Sequence, residues 1–184
     1  MSGSHGVGKT TLIDAIGRAR PEWRIHEEIT RTLMPLLGYE SPYDIVAENG
    51  IAMYEAAALS HWCTLTVASE YGADSDSVEI VDRSPIDSLG YYFLLRKPDE
   101  LVHEKFLTRI ARAYISKIHF HIFIPRLPIV IQLDSFQREQ TQTELEAIIL
   151  ELYSKLDVRY ARLSSVTVED RMEEALTLIS RQRG

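Results

Sequence analysis

Apolar residues recur along this chain in two patterns that alternate with each other. In one they lie three or four residues apart, as on the buried face of a helix; in the other they form short runs, as in a strand. Strands that alternate with helices of ten or more residues are typical of an α/β fold with a parallel sheet. We therefore predict a three-layer α/β domain with helices on both faces of a parallel sheet.

The same patterns predict where each element lies. Strands are predicted at residues 23–26, 78–81, 118–124 and 160–163, and a turn at 72–77. Pro21, Gly38 and Pro98 are expected to end helices, Ser84-Pro85 to begin one, and Thr167 to cap the last. The predicted helices are marked by apolar residues at helical spacing: Leu12, Ile13 and Ile16; Ile29, Leu33 and Leu36; Ile51, Tyr54, Ala58, Trp62 and Leu65; Ile86, Leu89 and Phe93; Phe106, Ile110 and Ala113; Leu145, Ile149, Leu152 and Leu156; and Val168, Met172, Leu176 and Ile179.

The bulk composition is that of an ordinary globular domain. With 184 residues, 45% of them apolar and 26% charged, the chain is long enough for one domain, 1–184, with a sizeable core. The net charge of −7 argues against a general nucleic-acid binder, and the single Cys63 suits a reducing compartment. Neither a charged-then-apolar leader nor a long apolar run is present. We expect a cytoplasmic protein without nucleic-acid or membrane partners.

Residues 3–10 match the phosphate-binding loop pattern G-x-x-x-x-G-K-[ST] completely. Its glycines let backbone N–H groups curl around phosphate oxygens, while Lys9 reaches the β- and γ-phosphates and the Thr10 hydroxyl holds Mg²⁺. The helix that follows adds the partial positive charge of its N-terminus. A glycine-rich turn that carries a lysine by coincidence is the weaker alternative. The sequence therefore predicts that ATP and Mg²⁺ bind here. The expected nucleotide-binding residues are Gly3, Ser4, His5, Gly6, Val7, Gly8, Lys9, Thr10 and Thr11.

The loop has little sequence in front of it. A phosphate-binding loop ordinarily follows a buried parallel strand of about five residues, yet only Met1 and Ser2 precede Gly3. Our hypothesis is that the first strand is missing or truncated because the sequence begins late. If Met1 is the native start, we expect the loop to lack its anchor and nucleotide affinity to be weak.

Asp82, Arg83 and Ser84 directly follow the predicted strand 78–81. Ligands in parallel α/β folds bind at the carboxyl ends of the strands, which makes this segment a candidate for catalysis. Asp82 is a candidate Mg²⁺ ligand, and Arg83 is a candidate clamp on an anionic acceptor or on the transferred phosphoryl group. The structural alternative is that Asp82 and Ser84 cap the next helix while Arg83 pairs with a surface acid.

Glu27 and Glu28 follow the strand predicted at 23–26. A carboxylate at this end of the sheet could orient or deprotonate an attacking hydroxyl, so both are candidate catalytic residues. Arg31, one helical turn further on, could hold the substrate or pair with the acid. The alternative is that the two glutamates complement the helix dipole, and we weigh the two interpretations about equally.

A lid is predicted at residues 126–142. Arg138 is the candidate catalytic residue of this segment, because a mobile arginine that closes over the phosphates would neutralise charge and exclude water. Arg126 is better explained as an ordinary solvated arginine. Asp134 ends an apolar run and rivals Asp82 as a metal ligand, but it fits the lid better.

Three segments together carry a resemblance to a known family. They are the loop at 3–12, Glu28 with Arg31 three residues on, and the Asp-Arg-Ser-x-x-Asp-Ser-Leu-x-Tyr segment at 82–91. In order and spacing they resemble the nucleoside and nucleotide kinase-like group of P-loop NTPases. This group includes the nicotinamide riboside kinase domain and related AAA-type ATP-binding proteins of bacteria and phages. The resemblance covers most of the chain, and 82–91 is its most specific part.

The resemblance implies a parallel sheet of order 2-3-1-4-5 and transfer of the ATP γ-phosphoryl group to a small hydroxyl or phosphate acceptor. It assigns phosphate binding to the loop, base or acceptor roles to Glu27 or Glu28, and metal or substrate roles to Asp82 and Arg83. The lid sequence at 134–138 departs from the shorter Asp-Gly-x-Arg-like stretch of the relatives.

Three functions remain open from the sequence. The first is a small-molecule kinase that uses ATP and Mg²⁺ on a nucleoside, a nucleotide or a similar acceptor. The second is a regulatory NTPase or nucleotide-sensing module without a small acceptor, and the third is a pseudo-enzyme that binds nucleotide poorly. No Asn-Lys-x-Asp guanine motif is present, which argues against a GTPase. The oligomeric state is not determined, and a homodimer stays open.

Overall fold

A computed structural model of the chain describes residues 1–48, 50–72, 78–127 and 139–183, and within these it omits the side chains of 42, 43, 62–72, 100 and 183. The predicted turn at 72–77 lies almost entirely outside the described residues. So do most of the predicted lid and its two candidates, Arg138 and Asp134.

The described elements alternate between helices and short strands, as the apolar pattern predicts. In chain order they are α1 Lys9–Ala19, β1 Arg24–His26, α2 Ile29–Leu36, α3 Pro42–Ala47, α4 Ile51–Gly72, β2 Glu79–Val81, α5 Pro85–Leu95, a 3₁₀ helix Pro98–His103, α6 Glu104–Ile115, β3 His121–Phe123, α7 Glu139–Lys155, β4 Tyr160–Arg162 and α8 Val168–Arg183.

The strands pair in parallel, β1 with β2 and β3 with β4. Met1 and Ser2 lie between the two pairs. The amino group of Met1 donates to the Val81 carbonyl oxygen at 2.7 Å, and Ser2 forms a parallel bridge with Phe123. The two residues that precede the phosphate-binding loop thus contact one strand of each pair, β2 and β3. The five-stranded order 2-3-1-4-5 stays a prediction, because the regular strands among the described residues form two separate pairs.

Local capping explains where several helices begin. Ser41 forms a capping box with Asp44, and Ser84 forms one with Asp87. At the last helix, the Asp170 N–H donates to the Thr167 hydroxyl at 3.1 Å, as predicted for an N-cap.

The buried apolar residues form two clusters. One joins α4, α5, α6 and α7 around Leu89 and Tyr92, and the other joins α1 and α8 to the strands around Ile16 and Ile122. Within the described part of the chain, no helix combines the length and the apolar character needed to cross a membrane.

Two details of the sequence prediction are wrong. On α6 the buried residues are Leu107, Ala111 and Ile115 rather than Phe106, Ile110 and Ala113, and Phe106 is 58% exposed. The helix predicted to end at Pro98 ends at Leu95, and residues 98–103 form a 3₁₀ helix that the apolar pattern did not predict. On α6 the spacing alone fits two adjacent registers, and packing against α4 and α5 selects one of them.

Arg171 of α8 connects the phosphate-binding loop to two other segments of the chain by hydrogen bonds. It is 3% exposed, and its guanidinium group donates to three carbonyl oxygens: Val7 at 2.9 Å, Ser165 at 2.8 Å and Pro125 at 3.1 Å. A buried charged donor that satisfies several carbonyls stabilises each segment that it joins.

We expect Arg171→Ala to lower the free energy of unfolding by about 2–4 kcal/mol, since it leaves these carbonyl oxygens without their donor. Urea denaturation followed by circular dichroism measures this change. Arg181→Ala, an exposed arginine of the same helix, is the matched control and should stay within about 0.5 kcal/mol of the unaltered protein. Equal effects of the two substitutions on the free energy of unfolding would contradict the stabilising role of the Arg171 hydrogen bonds.

Candidate functional site

The loop at 3–10 has the backbone shape that its sequence predicts. Gly3 and Gly8 have φ angles of 153° and 82°, which residues with a side chain rarely adopt. A Cβ atom at Gly3 would lie 2.4 Å from the carbonyl oxygen of Ile124, so only glycine fits against this segment. Gly8 is the N-cap of α1, and the first N–H groups of that helix therefore face the loop.

Lys9 is buried inside the loop. Its Nζ donates to the carbonyl oxygens of Gly3 at 2.8 Å and Ser4 at 2.6 Å. Burial, together with the nearby Arg83 charge, lowers the pKa of Lys9 to about 8 against the opposing effect of three carboxylates. An anion placed at this ammonium group would raise the pKa again, which makes Lys9 a strong phosphate partner.

The side chains of Thr10 and Asp82 are in direct contact, as expected if both bind the same metal ion. The Thr10 hydroxyl donates to Asp82 Oδ2 at 2.9 Å. Asp82 is 4% exposed, and its second oxygen, Oδ1, is buried with no hydrogen-bond partner among the described residues. A hydroxyl beside an incompletely satisfied carboxylate is a donor set that suits Mg²⁺, so these residues fit the ion that the loop motif implies.

Asp87 joins the loop to the segment after β2. It is fully buried; its Oδ1 accepts the Gly3 N–H at 2.9 Å, while Oδ2 accepts the Ser84 N–H at 2.7 Å and the Ser84 hydroxyl at 2.9 Å. The structural alternative is that Asp82 and Ser84 both cap the next helix. Ser84 does cap α5, whereas the Asp82 side chain accepts a hydrogen bond from Thr10 instead.

Arg83 lies between the loop and α2. Its backbone has a φ angle of 74°, which is uncommon for a residue with a side chain and costs energy unless contacts hold it. The guanidinium group forms an ion pair with Glu28 and lies 4.8 Å from the ring centre of Tyr91. Burial alone would lower the pKa of Arg83, but Tyr91 and Glu28 hold it above its ordinary value. The pairing partner is thus an acid of the site rather than a surface acid.

Glu28, rather than Glu27, contributes the carboxylate at this end of the strands. Its Oε1 accepts the Thr30 hydroxyl and faces Arg83, and its Oε2 lies 3.6 Å from Arg31 Nε. Burial would raise the pKa of Glu28, but Arg83 and the Thr30 hydroxyl hold it below its ordinary value. Glu28 is therefore ionised at neutral pH, whereas the Glu27 side chain is exposed.

Arg31 completes the cluster, since its Nη2 donates to the Thr10 hydroxyl oxygen at 3.0 Å. The structure therefore brings together Lys9, Thr10, Asp82, Arg83, Glu28 and Arg31. The backbone N–H of Arg126 donates to Glu146 Oε2 at 3.1 Å. Thr11 is exposed on α1.

Three buried polar residues of the site had no role in the sequence prediction. Gln142 of α7 donates to the His5 carbonyl oxygen at 2.8 Å, Arg171 holds Val7, and Glu55 lies 3% exposed on α4. Of these three, only Glu55 could have been identified from the sequence, because it lies four residues after Ile51 and therefore on the same helix face as the apolar residues. Gln142 and Arg171 lie on helix positions where a polar residue is unremarkable.

Comparison with known proteins identifies the family. The AAA domain family matches residues 1–171, and the chain belongs to this family. Membership implies a P-loop α/β fold that binds ATP, usually with Mg²⁺. No match is found among curated proteins. The resemblance to the nicotinamide riboside kinase domain stays a prediction.

The pKa of Lys9 predicts that ATP affinity falls above pH 8. Lys9 is protonated below its pKa of about 8 and loses its charge above it, and the charged form attracts phosphate. ATP affinity should therefore be about tenfold lower at pH 9 than at pH 7, with proton uptake on binding near pH 8.5. Calorimetry in buffers of different ionisation enthalpy measures both effects. Lys9→Arg should remove the pH dependence, and equal affinities at the two pH values would contradict the role of Lys9.

Asp82→Asn should remove most of the benefit that Mg²⁺ gives to ATP binding. We expect Mg²⁺ to tighten ATP binding to the unaltered protein by roughly tenfold relative to EDTA, and to change binding to Asp82→Asn little. Asp14→Asn removes the same charge from the exposed side of α1 and should behave like the unaltered protein. Titrations of a fluorescent ATP analogue give these affinities. An undiminished Mg²⁺ effect in Asp82→Asn would exclude this residue as a metal ligand.

Proposed function

We propose that this AAA domain protein is a small-molecule kinase, which transfers the γ-phosphoryl group of ATP to a nucleoside, a nucleotide or a similar acceptor. The observation that carries the proposal is the chain of contacts from the phosphate-binding loop to a carboxylate. Thr10 contacts Asp82 and Arg31, Arg31 lies beside Glu28, and Glu28 pairs with Arg83. A phosphate site next to a carboxylate that two arginines hold is suited to a hydroxyl acceptor.

In this proposal the loop binds the phosphates of ATP. The backbone N–H groups of the loop and of the start of α1 contact phosphate oxygens, and the Lys9 ammonium group neutralises the β- and γ-phosphates. Thr10 and Asp82 would hold Mg²⁺, which supplies further neutralisation of the phosphate charge.

Glu28 would orient the acceptor. Its carboxylate is ionised and can accept a hydrogen bond from the acceptor hydroxyl, which aims the oxygen at the γ-phosphorus. The new bond forms between that oxygen and the γ-phosphorus, while the bond from the γ-phosphorus to the β,γ-bridging oxygen breaks. The electron pair of the broken bond leaves with ADP, and the hydroxyl proton passes to Glu28 and then to solvent. Since the pKa of Glu28 is low, its main contribution is orientation rather than basicity.

Arg83 and Arg31 would stabilise negative charge on the phosphoryl group during transfer. Arg83 is fixed by Glu28 and by the face of Tyr91, whereas Arg31 is largely exposed and contacts Thr10. Fixed cations beside the transferred group lower the barrier without reorganisation.

A coupled assay of ADP release tests the proposal. The protein is incubated with Mg²⁺ and ATP and with single members of a panel of nucleosides, nucleotides and ribosides. We expect one chemical class to stimulate ADP release well above the rate without acceptor. ADP release that no acceptor changes would favour the regulatory NTPase, and the absence of both ATP binding and turnover would favour the pseudo-enzyme.

Glu28→Gln should lower acceptor phosphorylation by roughly 10²-fold or more and leave ATP affinity within about threefold, because the amide cannot orient the hydroxyl as the carboxylate does. Glu27→Gln is the matched control, with the same chemical change at an exposed neighbour, and should retain full activity. Steady-state kinetics with the best acceptor and thermal unfolding of both variants make the comparison. Full activity of folded Glu28→Gln would show that Glu28 is not the acceptor carboxylate.

A further inference from the structure

Glu55 is a second acid beside the proposed acceptor position. It lies on α4, which packs against α2 and α5, and it is 3% exposed. One oxygen accepts a hydrogen bond from the Ser88 side chain of α5, while Oε2 is buried with no hydrogen-bond partner among the described residues. The neighbouring residue, Tyr54, donates its hydroxyl to the Thr30 carbonyl oxygen at 3.1 Å and so anchors this part of α4 to the segment that carries Glu28.

The position is unfavourable for a carboxyl group that serves packing alone. Ile51 and Ala58 on the same face of α4 are buried, and a leucine at position 55 would continue their apolar stripe. A buried polar atom without a partner destabilises the folded state. Polar groups that break the local pattern at the cost of stability are typical of binding sites.

The surroundings of Glu55 make it a neutral acid at neutral pH. Burial raises the pKa of Glu55 to about 8; Glu28 and Asp87 raise it too, while Ser88 and Arg83 act in the opposite direction. A protonated carboxyl group both donates and accepts hydrogen bonds. A sugar hydroxyl has the same two capacities, whereas a cationic group here would lie close to Arg83.

We propose that Glu55 binds the acceptor, with its carboxyl group hydrogen-bonded to a hydroxyl other than the one that is phosphorylated. The inference rests on the proposed kinase function and narrows its substrate class to acceptors with at least two hydroxyls, such as a ribose-containing compound. Glu28 orients the reacting hydroxyl, and Glu55 selects molecules that present a second one.

The test combines substitutions of Glu55 with acceptors that lack one hydroxyl. In the unaltered protein, removing the recognised hydroxyl from the best acceptor should raise its KM about tenfold or more, because Glu55 then stays unpartnered. In Glu55→Leu the full acceptor should have the same raised KM, and the deoxy compound should be no worse than the full one. The KM for ATP should change less than about twofold. Ser60→Ala, on the exposed side of α4, is the control and should match the unaltered protein.

Thermal unfolding separates binding from structure. Because Glu55→Leu removes an unpartnered buried oxygen, its Tm should equal or exceed that of the unaltered protein, although its acceptor KM rises. If Glu55→Leu does not fold, Glu55→Met, which also lacks the donor and acceptor of the carboxyl group, decides the matter when it is measured with the same acceptor pair.

Two outcomes overturn the proposal, and they are distinguishable. If no acceptor stimulates ADP release by the unaltered protein, the kinase function and the role of Glu55 both fail. If an acceptor does stimulate release, but Glu55→Leu or Glu55→Met discriminates between the full and deoxy compounds as strongly as the unaltered protein does, the kinase function stands and the role of Glu55 fails.

Discussion

The buried carboxylate of Asp87 is the contact on which the candidate site depends. One carboxylate oxygen accepts a hydrogen bond from the Gly3 N–H, where the phosphate-binding loop begins. The other accepts hydrogen bonds from the backbone N–H and the hydroxyl of Ser84, the N-cap of α5. Because one buried side chain accepts hydrogen bonds from both segments, it holds them in one geometry. Asp82 and Arg83 lie just before Ser84, and this geometry directs Asp82 to Thr10 and Arg83 to Glu28.

Charge balance is the second constraint. Two cations, the buried Lys9 and the largely buried Arg83, lie among the carboxylates of Asp82, Asp87 and Glu28. Arg83 has a direct ionic partner, whereas Lys9 contacts carbonyl oxygens and has a pKa of about 8. The cation in the loop therefore gains most from an added phosphate, while the cation on the acceptor side is already paired with Glu28. This difference accounts for a phosphate position at the loop and an acceptor position beside Glu28.

The parts of this arrangement that the sequence could predict depend on neighbours in the chain. The phosphate-binding loop at 3–10, the start of α5 at Ser84 and the cap at Thr167 are recognisable because each is formed within a few residues. The site contacts of Asp87, Gln142 and Arg171 join residues 84, 137 and 164 positions apart, and no local pattern specifies them. The choice between Glu27 and Glu28 likewise needed the structure, since adjacent acids differ only in which one packs against Arg83.

The most direct test of the account follows the phosphorus atom itself. ³¹P NMR of the protein with Mg²⁺, ATP and the most effective acceptor shows where the γ-phosphoryl group goes. The account predicts a new phosphate ester or phosphoanhydride resonance that grows in step with ADP, with little inorganic phosphate. ADP that accumulates in step with inorganic phosphate alone would contradict phosphoryl transfer and identify the protein as a hydrolase of ATP.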